Sequence, residues 1–471
     1  MTAVISAPNW APDIAKEGLV PALPGGAVLL DEASMSRFRP RLLPEDFWAA
    51  REVLMLVRQA AHARARSGDL VLGGLFSRMG SLVPPQLRAD TGVGSAASLN
   101  MFTILLGPSG SGKSSAAHIP KLLLPAPIGL DFLDNLPLGS GEGIAEAYMG
   151  DQEVETGETY RGGQRKGEPK TETVRMQVRH NALFYADEGE SLTKQLFGRT
   201  GATVGETLRR AWTGGTIGQH NGQKVTTRVV SEGTYSLGLA VGFQPETALP
   251  LLDDAAAGTP QRFLWVSSTD PAIPREPVPH PGPLDLALFR RGFGTEPRLS
   301  FAGEILREIR DDDWTRATGA TALPQLDSHK PLMRVKVASL LAVMCNRLDV
   351  TVEDWQLALA VWETSAKLRD ALLEYGARQV AEKEEKRVKA HVDREMRAHS
   401  AKHDADVNVE RVARRAGKRV HEAPGMSRAK LNSVIAARDR RYFTRALELA
   451  EARGWVEMEG DRVMPGDSMP T

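Results

Sequence analysis

The stretch Gly107 to Ser115, GPSGSGKSS, sets a lysine and two hydroxyls directly behind a glycine-rich turn, with the spacing G-x-x-x-x-G-K-S. An apolar run, Phe102 to Leu106, precedes it and a segment able to open a helix follows, which is the context a phosphate-binding loop requires. In such a turn backbone N–H groups point at a phosphate chain, and the positive end of the following helix reinforces them. The expected binding loop is Gly107, Pro108, Ser109, Gly110, Ser111, Gly112, Lys113, Ser114 and Ser115. Lys113 would reach the β- and γ-phosphates as a point charge, and Ser114 would ligate Mg²⁺. ATP and Mg²⁺ are the expected cofactors.

Hydrolysis also needs acids at the end of a neighbouring strand. The run Leu183-Phe184-Tyr185-Ala186 is apolar or aromatic and ends in Asp187-Glu188. Asp187 would hold Mg²⁺ through water, and Glu188 would orient and deprotonate the attacking water. Glu142, in GSGEG, is a rival for the base, and Glu188 is preferred. Gln244 ends the apolar run of GLAVGFQPE, where a polar side chain would sense the γ-phosphate. Arg262, in GTPQRFLWV, precedes another apolar run and suits an arginine finger, which neutralises charge developing on the γ-phosphate. Arg334, in a later helical stretch, is a second candidate for a nucleotide-sensing arginine.

Holding these groups together takes a parallel sheet with helical connections. Strand-like runs alternate with helical ones from the phosphate loop onward, at Ile128–Leu133, Asn181–Ala186, and in YSLGLAVGF and QRFLWVSS, which predicts an α/β P-loop core. Polar flanks around Asp151–Lys170 pair as a projecting hairpin, and Asn221-Gly222 marks a second hairpin turn. Residues 1–97 read as an arm followed by a helical layer in which Gly68 ends a helix. Residues 98–283 are the ATPase core, and 284–405 a lid-like helical region ending in a charged spacer helix. Residues 406–471 read as helix, turn, helix and two short strands, the order of a winged helix. There Phe443, Ala446, Leu447 and Ala450 face inward, with Arg440, Arg441, Arg445 and Arg453 outward.

The chain has 59 basic and 59 acidic residues, so any affinity for nucleic acid must be local rather than a property of the whole surface. Its one cysteine, Cys345, lies in an apolar run and has no partner for an intrachain disulfide or zinc site, so a buried thiol is expected. Neither a secretory leader nor an apolar run of membrane-spanning length is present, and a cytoplasmic protein without a membrane partner is expected.

Together the loop GPSGSGKSS, the acids of YADEGE and the runs GFQPE and GTPQRFLWV occur in an order that resembles the P-loop ATPases of phage and mobile-element replication modules. Those proteins resemble RecA-like and primase-helicase motors, while the Asp-Glu pair and lid-like helices also resemble the AAA+ branch. The resemblance spans about Pro44 to Ala377. It implies a homo-oligomer, a ring such as a hexamer or a filament, with ATP between neighbours and Arg262 supplied in trans. It further implies DNA as partner and a replicative helicase as the function, with a non-unwinding, ATP-switched DNA-binding initiator, loader, regulator or defence ATPase as the alternative.

Overall fold

The computed structural model describes Phe38 and residues 40–197, 203–220 and 227–471. In chain order the first nine strands are β1 (Met101–Leu106), β2 (Phe132–Leu136), β3 (Met149–Thr159), β4 (Pro169–Gln177), β5 (Asn181–Ala186), β6 (Ile217–Gln219), β7 (Arg228–Val230), β8 (Ser236–Phe243) and β9 (Phe263–Ser267). Five of them form one sheet in the order β2-β5-β8-β1-β9, and every pairing in it is parallel. β1, β8 and β9 are buried along their whole length, which is why their sequences run apolar instead of alternating. β2, on the edge, is half-exposed. It lies later than the run Ile128–Leu133 suggested, since Ile128 stands fully in solvent.

The helix Gly68–Leu82 is buried at every position and packs on β1, β5, β8 and β9. Its glycines permit the close approach. A Cβ on Gly73 would lie 2.8 Å from Thr103 Cγ2 and 2.9 Å from Val266 Cγ2. Ser77 Oγ adds bonds to Thr103 Oγ1 at 2.8 Å and to the Leu239 carbonyl at 3.0 Å. Gly68 therefore begins this helix and does not end the one before it. Ser67 caps it, accepting from the Leu70 N–H, and the preceding helix stops at His62. The N-terminal helices share one core with the sheet.

Two hairpins leave this body. β3 and β4 pair antiparallel, with Met149 opposite Gln177, and are exposed over most of their length. β6 and β7 pair antiparallel, Ile217 opposite Val230, while the expected Asn221-Gly222 turn lies outside the described residues. One carboxylate serves both: Glu146, ending the helix Gly141–Glu146, accepts from Arg175 on β4 at Oε1 and from Arg228 Nε on β7 at Oε2.

Beyond the sheet come the helices Gly303–Ala317, Lys330–Met344 and Val352–Glu422. The last begins with a capping box: Asp354 Oδ2 accepts from the Thr351 N–H at 2.8 Å, and Thr351 Oγ1 accepts from the Asp354 N–H at 3.4 Å. This helix passes through the expected 405/406 boundary without a break, and the chain divides into compact units at Gly376/Ala377. Cys345 is half-buried, not buried, and its Sγ accepts from Arg51 at 3.5 Å.

The second unit has its own core of Val409, Val412, Ala413, Ala416 and Val420 against Leu431, Phe443, Ala446, Leu447, Ala450 and Val456. Met426–Ser427 and Val456–Glu459 flank Arg462–Pro465 in a three-stranded antiparallel sheet. The helices Arg428–Val434 and Phe443–Ala452 come between the first strand and the other two. Among the described residues no helix is long and apolar enough to cross a membrane.

Candidate functional site

In an open parallel sheet, ligands bind outside the carboxyl ends of the strands, in the loops that follow them. β1, β5 and β8 end there side by side at Leu106, Ala186 and Phe243, so their next residues converge. They line a crevice of about 460 Å³, within the roughly 300–1,000 Å³ range of small-molecule sites. Its walls are Ser109, Gly110, Gly112, Lys113, Ser114, Ser115, Asp187, Glu188, Gly189, Glu190, Gly242, Gln244 and Thr247. Glu188 and Gln244 thus meet the phosphate loop, whereas Glu142 is not part of this lining.

Gly110 and Gly112 have φ of 74° and 80°, the left-handed region that glycine enters at little cost. Gly107 is fixed by crowding, since a Cβ there would lie 1.6 Å from Ser268 Oγ, which itself bonds Ser111 Oγ at 2.8 Å. Lys113 Nζ donates to the Gly107 and Pro108 carbonyls, both at 2.8 Å. Burial lowers its pKa and the charge of Asp187 opposes that shift. The acid-bearing strand end is equally confined. A Cβ on Gly189 would lie 2.4 Å from the Phe243 ring, and one on Gly242 would lie 2.5 Å from the Asp187 carbonyl oxygen.

Ser114 Oγ donates to Asp187 Oδ1 at 2.5 Å, and Tyr185 donates its phenol to the same oxygen at 2.8 Å. Burial and then the bond to Asp187 raise the Tyr185 pKa, keeping the phenol a donor at neutral pH. A hydroxyl touching a carboxylate is a donor set of hard oxygens that fits Mg²⁺, an ion usually held by one or two protein oxygens with waters and substrate phosphates completing its shell. Among the described residues no group of three or more His, Cys, Asp or Glu side chains could hold a metal by itself.

Two side chains absent from the sequence reading belong to this region. Tyr185 was detectable, because residues two apart on a strand share a face and Tyr185 precedes Asp187 by two. Arg66 carried no local signal. Its Nε donates to Ser115 Oγ at 2.6 Å, and its guanidinium covers Gly112, where a Cβ would lie 2.4 Å from Nε.

Arg262 lies elsewhere. β9 runs parallel to β1 with Phe263 beside Phe102 and Ser267 beside Leu106, so Arg262 is at the end of the sheet opposite the phosphate loop. The first and last residues of this five-residue strand are four steps apart, about 13 Å at ~3.3 Å per residue. The side chain is half-buried, 5.8 Å from the Trp212 ring centroid, and donates to the Gly258 carbonyl. Trp212 also carries His329, at 5.3 Å between ring centroids, and Lys336 Nζ at 4.3 Å. Lys336 is fully buried and bonded to the Asn100 and Trp212 carbonyls. Burial lowers the pKa of all three basic groups: Lys336 well below its usual range, His329 to about 4 and Arg262 to about 10, which leaves Arg262 charged and His329 neutral at neutral pH.

Arg334 does not reach the crevice. It is buried, paired with Glu308 at 2.5 Å, stacked 3.8 Å over Trp355 and bonded to the Trp355 carbonyl. Its sensor role is withdrawn on that packing.

The molecule is a mixed α/β protein whose central parallel sheet carries a P-loop-like turn at its strand ends. No family model matches the chain, and no curated protein does. Among solved structures, a full-length MCM homolog from Methanopyrus kandleri is similar at 15% identity and a TM-score of 0.34, covering 74% of this chain and 63% of that one. The chain thus spans less than two thirds of that protein's length.

Proposed function

We propose that this chain is an ATP-hydrolysing DNA motor, a replicative helicase whose subunits assemble into a ring with ATP between neighbours. The observation that carries the reading is the crevice, where Ser114 and Asp187 touch beside Lys113, Glu188 and Gln244. Lys113 would neutralise the β- and γ-phosphates, and the backbone turn with Gly110 and Gly112 would cradle them. Mg²⁺, held through Ser114 and Asp187, would neutralise charge on the phosphates. Glu188 would take a proton from the attacking water, and Gln244 would sense the γ-phosphate. The exposed β3–β4 hairpin and the β6–β7 hairpin would line a pore around a DNA strand. We read the C-terminal unit as a winged helix that binds duplex.

The deciding experiment measures ATP turnover with and without single-stranded DNA, beside unwinding of a forked duplex. Strong single-strand stimulation together with unwinding supports the motor. Tight duplex binding without unwinding selects an ATP-switched DNA-binding protein instead.

Glu188→Gln is expected to retain ATP binding while turnover falls at least ~10²-fold, the scale of a lost general base. The check is phosphate release measured beside nucleotide titration for Glu188→Gln and Glu142→Gln. A slow Glu142→Gln with a normal Glu188→Gln would transfer the role to Glu142.

Arg440 and Arg441 are exposed beside the helix Phe443–Ala452. Arg445 and Arg453 are exposed as well, but they pair with Asp406 at 3.1 Å and Glu410 at 3.8 Å, so part of their charge is compensated within the unit. Reversing the charge of Arg440 and Arg441 is expected to weaken duplex binding and to flatten its dependence on salt, because fewer counterions are released. Affinity and salt slope equal to wild type would assign this unit to protein docking.

A further inference from the structure

Arg66 is a cation held against the phosphate loop with no carboxylate partner among the described residues. Its Nε donates to Ser115 Oγ at 2.6 Å and its Nη1 to the Ala65 carbonyl at 2.7 Å. Nη2 has no partner among the described residues and is not a buried atom. An arginine this close to a glycine turn, with no acid partner among the described residues, is arranged for an anion supplied from outside.

The backbone that presents it is fixed at both ends. The Arg66 N–H bonds the Ala61 carbonyl at 2.9 Å, the Ala65 N–H bonds His62 at 2.9 Å, and Ser67 caps the next helix. Between them Ala65 has φ of 51°, a left-handed conformation that alanine seldom takes. These two bonds and the positive φ at Ala65 form the Schellman end of the helix Glu52–His62, which turns the chain so that Arg66 leaves it toward the phosphate loop.

Its aim identifies the phosphate. Lys113 and Ser114 serve the β- and γ-phosphates on the side of Asp187 and Glu188. Arg66 is anchored one residue further along the helix, on Ser115, and is not part of the crevice lining shared by those acids. Resting on the nucleotide-site reading, we propose that Arg66 binds the α-phosphate of the nucleotide through Nη2, and so contributes affinity common to all phosphorylated forms. Ser115 positions it by holding Nε, and Gly112 leaves room for the guanidinium to lie flat on the loop.

The test is equilibrium titration of AMP, ADP and ATP into the full chain and its variants. Arg66→Ala is expected to weaken all three by the same factor, on the order of 10-fold or more, the scale of one lost charge-assisted bond. In turnover that loss appears in KM and not in kcat. Arg66→Gln can still donate to Ser115 but carries no charge, and should lose as much as Arg66→Ala. Arg66→Lys keeps the charge without the fork and should recover part of the affinity. Wild-type affinity in Arg66→Ala or Arg66→Gln overturns the proposal, the latter by showing a packing role alone. A loss confined to ATP also overturns it, by moving the contact to the γ-phosphate. Lys113→Ala separates this failure from a deeper one: if it binds ATP as tightly as wild type, the phosphate-loop reading itself falls and the proposal with it.

Discussion

Replacing Arg262 by alanine is expected to leave ATP binding near wild type while turnover falls roughly 10³-fold or more, the range of an arginine finger. The register of β9 against β1 carries the expectation, because it sets Arg262 at the far end of the sheet from the phosphate loop of its own subunit. An effect on hydrolysis would therefore have to cross to a neighbouring subunit. Trp212 and the Gly258 carbonyl hold one side of the guanidinium, and its Nη2 has no partner among the described residues. A trans role adds a second requirement. Mixing Arg262→Ala with Lys113→Ala subunits should restore some activity, since interfaces then form that pair an intact loop with an intact finger. A mixture that co-assembles and stays inactive would make Arg262 structural.

Lys113→Ala is expected to bring turnover below detection, because the β- and γ-phosphates lose the one side-chain cation of the loop. Lys113 Nζ already lies against the Gly107 and Pro108 carbonyls, so its ammonium is held at the rim of the turn where those phosphates would sit. Phosphate release at saturating ATP is the measurement. A wild-type rate would show that the glycine turn is not a nucleotide site.

The crevice was legible in the sequence to the extent that its parts are local. GPSGSGKSS after an apolar strand fixes a loop at a strand end, and FYADE and GFQPE each place a polar group where an apolar strand stops. These three ends meet because β8 lies between β1 and β5, a pairing order that no local pattern encodes. Arg66 and Ser268 reach the loop across 49 and 157 residues of chain, and such contacts have no spacing to read. Arg334 was misread for the same reason, since its partners Glu308 and Trp355 are brought to it by the packing of other helices. The displaced edge strand and the unbroken helix across 405/406 have another cause. Apolar content was taken for a strand at Ile128, and the charged spacer helix was ended at 405, whereas the helix, with Val380, Val388, Val392 and Met396 exposed as a solvated spacer requires, runs on to Glu422.

Glu146 gives the two hairpins a common footing. Arg175 of β4 and Arg228 of β7 grip the two oxygens of one carboxylate, which ends a helix whose first turn is pinned by the Ser140 cap. Each ion pair is partly exposed and singly worth little, about 1 kcal/mol or less. Mechanically the arrangement matters more than its energy. A pull on either arm is delivered to the same short helix and, through it, to the other arm. Glu146 thus ties β4 at Arg175 to β7 at Arg228, so a displacement of either strand is passed to the other through one carboxylate.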